Sequence, residues 1–128
     1  MNVIPHVSLP VSGSGIGDIC LICSGGKLTI KFEYCCDRKD LIGMLCFYEP
    51  IAYRFKNETH SRGFISSSYD CVVEVQDSSW LQELASSTPV HMHGVSDKCH
   101  FAVFLSNNGF VEVIAKSVAL LTPSEGIL

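Results

Sequence analysis

The stretch from Lys27 to Cys35 alternates strictly: Leu28, Ile30, Phe32 and Tyr34 fall on one side of an extended chain, and Lys27, Thr29, Lys31 and Glu33 fall on the other. Successive side chains of a strand point to opposite faces, so this pattern predicts a half-buried β-strand with one apolar face. Ser24-Gly25-Gly26, just before it, offers the positive φ angles of a tight turn, and Asp18 to Cys23 is apolar and β-compatible. A hairpin is expected over 18–35.

Similar signals recur along the chain. Leu41 to Tyr48 is a nearly continuous apolar run, expected as a strand covered on both faces, after a polar loop at Asp37-Arg38-Lys39-Asp40. Ile51 to Lys56 resumes alternation with Ile51, Tyr53 and Phe55 expected inward, and Pro50 marks a bend or an edge. Asn57 to Ser68 reads as a Ser/Gly-rich loop and Tyr69 to Val75 as a strand. His100 to Leu105 and Phe110 to Ala115 flank Ser106-Asn107-Asn108-Gly109, where Asn-Gly is the strongest hairpin signal in the chain. The tail after Lys116 adds a short strand through Val118 and Leu120.

One helix is predicted, at about 78–86. Asp77-Ser78-Ser79 supplies capping oxygens, and Gln82 follows Ser79 by three residues as in a capping box. Trp80, Leu81 and Leu84 form its apolar stripe, with Trp80 expected mostly buried against a sheet. Ser86-Ser87-Thr88-Pro89 ends it, because the residue before a proline is pushed out of the helical region. Residues 1–17 hold Pro5, Pro10 and Gly13-Ser14-Gly15-Ile16-Gly17 and read as an irregular N-terminal segment. The glycine spacing there does not match a dinucleotide fingerprint. The expected fold is α+β: an antiparallel sheet or partly closed barrel of about six strands with one short helix, in a single domain spanning 1–128.

Composition narrows the function. With 128 residues, 47% of them hydrophobic and 17% charged, the chain has ample apolar area for a core. A net charge of −4 with scattered Lys and Arg disfavours nucleic-acid binding. No apolar run approaches the ~18 residues of a membrane-spanning helix, and the opening MNVIPHVSLP lacks a signal-peptide pattern, so a cytoplasmic protein without membrane contact is expected. Seven cysteines, an odd number, are expected as free thiols in such a compartment.

Three constellations could carry chemistry. Cys20-Leu21-Ile22-Cys23 with Cys35-Cys36 has the residue types of a zinc or redox motif. Residues three apart in a strand point to opposite faces, however, so these are read as packing cysteines. His91, His93, Cys99 and His100 do not converge without a folded-back loop, and neither metal nor cofactor is expected. The third set is the candidate site: Arg54, Glu58, His60, Asp70, His100 and Glu112, with Tyr69, Asp77 and Trp80 nearby in sequence. If the strands carrying Arg54 and Asp70 pair, they bring an arginine, carboxylates and a histidine together. That group can bind an anionic or polar ligand, or form a solvated salt-bridge face.

Whether His100 and Glu112 cooperate depends on register. A two-residue turn at Asn108-Gly109 pairs Leu105 with Glu112 and puts His100 on the opposite face; a shift by one residue would bring them to the same face. The two-residue turn is expected, and with it a non-catalytic His100.

The order of short elements over 53–84 and 99–115 resembles a group of small bacterial proteins of unassigned function. These elements are Arg-Phe, Glu-x-His-Ser, Ser-Tyr-Asp-x-x-Val-Glu-Val, Asp-Ser-x-Trp-x-x-Glu-Leu, Cys-His-Phe-x-Val-Phe-Leu and Glu-Val-Ile-Ala. The resemblance implies a bacterial cytosolic protein with no assigned catalysis; some small α+β proteins of this kind are immunity proteins against toxins. The leading expectation is therefore a non-catalytic, immunity-like binding module that meets a protein partner through an acidic face. Its support is the absence of a Gly-x-Ser-x-Gly elbow, a phosphate loop and a His-Glu-x-x-His motif. The alternatives are a small hydrolase or isomerase with His60 or His100 as general base, oriented by Glu58, Asp70 or Glu112, and a structural protein forming homo-oligomers through a sheet edge.

Overall fold

The computed structural model describes residues 3–10, 16–36, 38–57, 70–87, 97–105 and 109–121. Within them lie nine strands: β1 (Val3–Ser8), β2 (Ile16–Ser24), β3 (Lys27–Cys36), β4 (Lys39–Tyr48), β5 (Ala52–Asn57), β6 (Cys71–Val75), β7 (Cys99–Leu105), β8 (Gly109–Ala115) and β9 (Ser117–Leu121). A single helix, α1 (Ser79–Ser87), lies between β6 and β7. Strands occupy 73% of the described residues. They form two antiparallel sheets, a first of order β1-β6-β7-β8-β5 and a second of order β2-β3-β4-β9.

This corrects the expected α+β fold. The protein is a sheet-rich sandwich without a closed barrel, because the strands divide between two facing layers. The N-terminal segment is not irregular throughout. Val3–Ser8 forms an edge strand on β6, which tolerates Pro5 because a bulge between Pro5 and Val7 interrupts the ladder there.

The core lies between the sheets. The second sheet contributes Leu28, Ile30, Phe32, Tyr34, Leu45 and Phe47, the alternating set anticipated for β3 together with its partners on β4. The first contributes Val72, Phe101, Val103, Leu105, Val111, Val113 and Ala115. The rings of Phe47 and Phe101 meet across the layers with centroids 6.0 Å apart. Gly43 stands opposite Phe32, whose ring covers the space a Cβ would need.

Local chemistry explains the connections. Gly25 and Gly26, with φ of 58° and 72°, form the two-residue turn of the β2–β3 hairpin, as its sequence predicts. Two strand pairs pass from one sheet to the other. β4 runs into β5 through Glu49–Ile51 and β8 into β9 through Lys116, and the corner is held by Ile51 N–H to Ile114 O and Lys116 N–H to Tyr48 O.

The helix begins one residue earlier than a capping box on Ser79 would place it. Ser78 Oγ accepts the Leu81 N–H at 3.0 Å and Ser78 O accepts the Gln82 N–H, so Ser78 is the N-cap and Gln82 lies one residue beyond the capping-box position. Asp77, with φ of 53°, makes the sharp turn from β6 into that cap, a conformation Asp tolerates better than most residues.

Candidate functional site

The outer face of the first sheet carries a buried polar network. β7 and β8 pair with Leu105 opposite Gly109, Ala102 opposite Glu112 and His100 opposite Ile114. The expected register, Leu105 opposite Glu112, is therefore incorrect: the connection spans 106–108, three residues, and Glu112 comes to the same face as His100. Gly109 is a strand residue rather than part of a two-residue turn. A Cβ on it would collide with Lys56 O and approach Phe55 Cζ at 2.7 Å, so glycine is required there by the closeness of β5.

β5 pairs with β8, which sets Arg54 opposite Glu112. Arg54 Nε donates to Glu112 Oε2 at 2.7 Å and a terminal guanidinium nitrogen donates to Oε1 at 3.1 Å, a bidentate pair. His100 Nε2 lies 2.7 Å from Glu112 Oε1, and His100 Nδ1 lies 2.6 Å from Ser78 Oγ. The helix closes the group from above. Trp80 is mostly buried, as its place on the apolar stripe predicts, with Arg54 covering one face of its ring. The guanidinium carbon sits 4.0 Å from the Trp80 ring centroid, and the indole meets the His100 ring edge-on at 5.3 Å.

The electrostatics of the group are self-consistent. Burial by itself would raise the pKa of Glu112, but hydrogen bonds from His100 and Arg54, with the Arg54 charge, outweigh it and bring the carboxyl from 4.5 down to about 2. An ionised Glu112 only accepts, so His100 Nε2 carries the proton and donates to it. In the neutral ring Nδ1 then accepts the Ser78 hydroxyl, whose oxygen is already accepting from Leu81. The side chains of His100 and Glu112 are only 4% and 3% exposed. No buried side-chain polar atom among the described residues lacks a partner.

Of the six site candidates, the structure brings together Arg54, His100 and Glu112. Asp70 is elsewhere: β6 pairs with β1 and β7, so two strands separate it from β5, and Arg54 takes its carboxylate from β8 instead. Asp70 is buried at the start of β6, where its N–H donates to Phe104 O and its carbonyl accepts from Leu9. Glu58 and His60 lie outside the described residues, as do Tyr69, His91 and His93. Sequence reasoning did not assign Ser78 to the site, although its position as a capping hydroxyl directly after a strand was the available signal.

Metal and thiol expectations concern other surfaces. No group of His, Cys, Asp and Glu suited to a metal ion occurs among the described residues. Cys20, Cys23, Cys35, Cys46, Cys71 and Cys99 are free thiols, Cys20 and Cys23 being exposed on edge strand β2. No helix among the described residues is long and apolar enough to cross a membrane.

A second surface feature lies on the other side of β5. Tyr53 and Phe55 stand opposite Val113 and Val111 and so share the core-facing side of the first sheet. They are nevertheless 51% and 47% exposed, with Ile51 at 43%. This corrects the expectation that they point inward to a core: among the described residues β5 is the outermost strand of its sheet, and its aromatic side chains are left exposed. The tip of the β2–β3 hairpin stands off from this strip and leaves an open groove of ≈ 440 Å³ lined by Cys23, Lys27, Pro50, Ile51 and Tyr53 among others.

Comparison with protein-family models, with curated proteins and with solved structures finds no match to this chain.

Proposed function

We propose that the protein is a non-catalytic binding module that engages a protein partner along the edge of β5. The observation that carries this reading is the exposure of Tyr53 and Phe55 on a strand at the edge of the described sheet, with exposed Ile51 just before it, beside a groove. Large apolar side chains clustered on one strand, with open backbone positions next to them, are what a docking surface supplies. The surface is apolar with cationic neighbours rather than the acidic face expected from net charge. The buried network acts as its support, because Arg54 ties β5 to Glu112 on β8 and to Trp80 on the helix.

The test is a photo-reactive phenylalanine analogue in place of Tyr53, irradiated in the cells from which the protein derives. A discrete cross-linked adduct is expected, whereas the same analogue in place of Ile4, exposed on the β1 edge, should yield none. Equal adducts at both positions, or none at Tyr53, would sink the reading. An immunity-like role is the special case in which the adduct contains a toxin.

One observation favours a hydrolase as the second reading: Ser78, His100 and Glu112 form a serine–histidine–carboxylate relay at 2.6 and 2.7 Å. It ranks second because Ser78 and His100 are buried, the serine oxygen already caps the helix, and neither described groove is lined by these residues. A fluorophosphonate probe distinguishes the readings. Labelling that disappears in Ser78→Ala would establish the hydrolase, and an unlabelled wild-type protein is the outcome expected of the binding module.

A further inference from the structure

We propose that the segment docking on β5 is an extended stretch of another protein in which carboxylate and apolar residues alternate, added to the first sheet as a further antiparallel strand. This rests on the β5 docking reading and names the chemistry of its occupant.

Among the described residues four strands form the edges of the two sheets, and β5 is the one shaped to accept an addition. β1 contains Pro5 and a bulge, and β2 has a register shift between Ile16 and Ile19. β9 is five residues long. Bulges, prolines and short length are the usual devices that keep an edge from pairing. β5, six residues long, has neither proline nor bulge; its register with β8 is unbroken from Ala52 to Asn57. Ladder geometry therefore directs the N–H and C=O groups of alternate β5 residues away from β8.

The two faces of that edge differ in chemistry. Tyr53 and Phe55 line the face beside the groove, and Arg54 and Lys56 line the face toward the helix. Lys27 adds a cation at the groove. Nearby carboxylates are already engaged: Glu112 holds Arg54 and His100, and Glu49 lies 3.8 Å from Lys98 and 3.7 Å from Lys116. Lys27 and Lys56 have no ion-pair partner among the described residues, while Arg54 is already matched by Glu112, so these two lysines supply the uncompensated positive charge beside this edge in a chain of net charge −4.

That charge pattern selects the occupant. In an antiparallel pair, residues directly opposite share a face. A second copy of β5 set with Tyr53 opposite Phe55, or with Phe55 opposite Phe55, would place Arg54 opposite Arg54 or Lys56, and like charges in that position are destabilising. A strand with carboxylates opposite Arg54 and Lys56 and apolar residues opposite Tyr53 and Phe55 satisfies both faces at once. Main-chain hydrogen bonds and apolar burial supply the affinity, while the exposed charge pairs set specificity.

The probe is a dye-labelled peptide of alternating Glu and Val long enough to span β5, compared with a Lys–Val peptide and with a peptide of the same Glu–Val composition arranged in two blocks. Fluorescence anisotropy should show saturable binding of the alternating Glu–Val peptide alone. Amide exchange should slow within β5, and Lys27→Glu combined with Lys56→Glu should weaken binding by ~10-fold or more. Both lysines are exposed, so the fold should survive the change; Lys27→Gln with Lys56→Gln provides a milder pair. Equal binding of the Lys–Val or the block peptide, lost in Phe55→Ser, would overturn the acidic alternation and leave β5 docking intact. A concentration-dependent dimer abolished by Phe55→Ser would overturn it in favour of a second copy. Binding of none of the peptides would overturn this inference, and only the additional failure of the Tyr53 cross-link would remove the docking reading.

Discussion

Glu112 is the residue on which the outer face of the first sheet turns. Its carboxylate receives Arg54 and His100 at once and is 3% exposed, so it is stable there only while ionised and paired. Its folded pKa is about 2, below the ordinary 4.5, so its contribution to stability is fully present above pH 4.5 and is lost as pH falls toward 2. Glu112→Gln should lower stability at neutral pH by about 2–3 kcal/mol and flatten the acid limb of the stability profile. Denaturant unfolding repeated across that pH range checks this; parallel acid limbs in the two proteins would assign the pH dependence to other groups. Ser78 has two duties at once, capping the helix and meeting His100, which ties the helix start to β7 through one hydroxyl.

At the level of elements, the chain is legible where a pattern is local and ambiguous where a residue serves a distant neighbour. The alternation of Leu28, Ile30, Phe32 and Tyr34 and the Gly25-Gly26 turn both lie within one hairpin, and both are found as read. Asn108-Gly109 misled because Gly109 answers to β5 rather than to its own turn; nothing near it in sequence reveals the Lys56 carbonyl or the Phe55 ring. Tyr53 and Phe55 misled differently. Alternation correctly gives the face they share, but whether a second layer covers that face depends on which strand stands at the edge. The site shows the same division: Arg54, His100 and Glu112 were recognisable as candidates, yet their meeting required β5 to lie beside β8 rather than β6. Gly109→Ala should therefore cost about 2 kcal/mol or more and displace the Phe55 ring, since it combines a backbone strained at φ 155° with a steric clash against β5. Thermal unfolding and the chemical shifts of the Phe55 ring would report it; unchanged ring shifts would contradict the close approach.

For the molecule as a whole, the corner at Glu49–Ile51 and Lys116 makes the two sheets one cooperative unit. Neither layer can open without disturbing the β4–β5 and β8–β9 connections that join them, and they share one core. Probes placed in each sheet should report a single coincident denaturant transition; separate midpoints would show that the layers fold independently. The corner also has a mechanical meaning. β5 is the direct continuation of β4, which is paired along its whole length with β3. Tension applied along a segment bound at β5 is therefore passed down the chain into the middle of the opposite sheet. There it loads the β3–β4 ladder in shear, with many bonds sharing the force, instead of peeling an edge strand away one bond at a time.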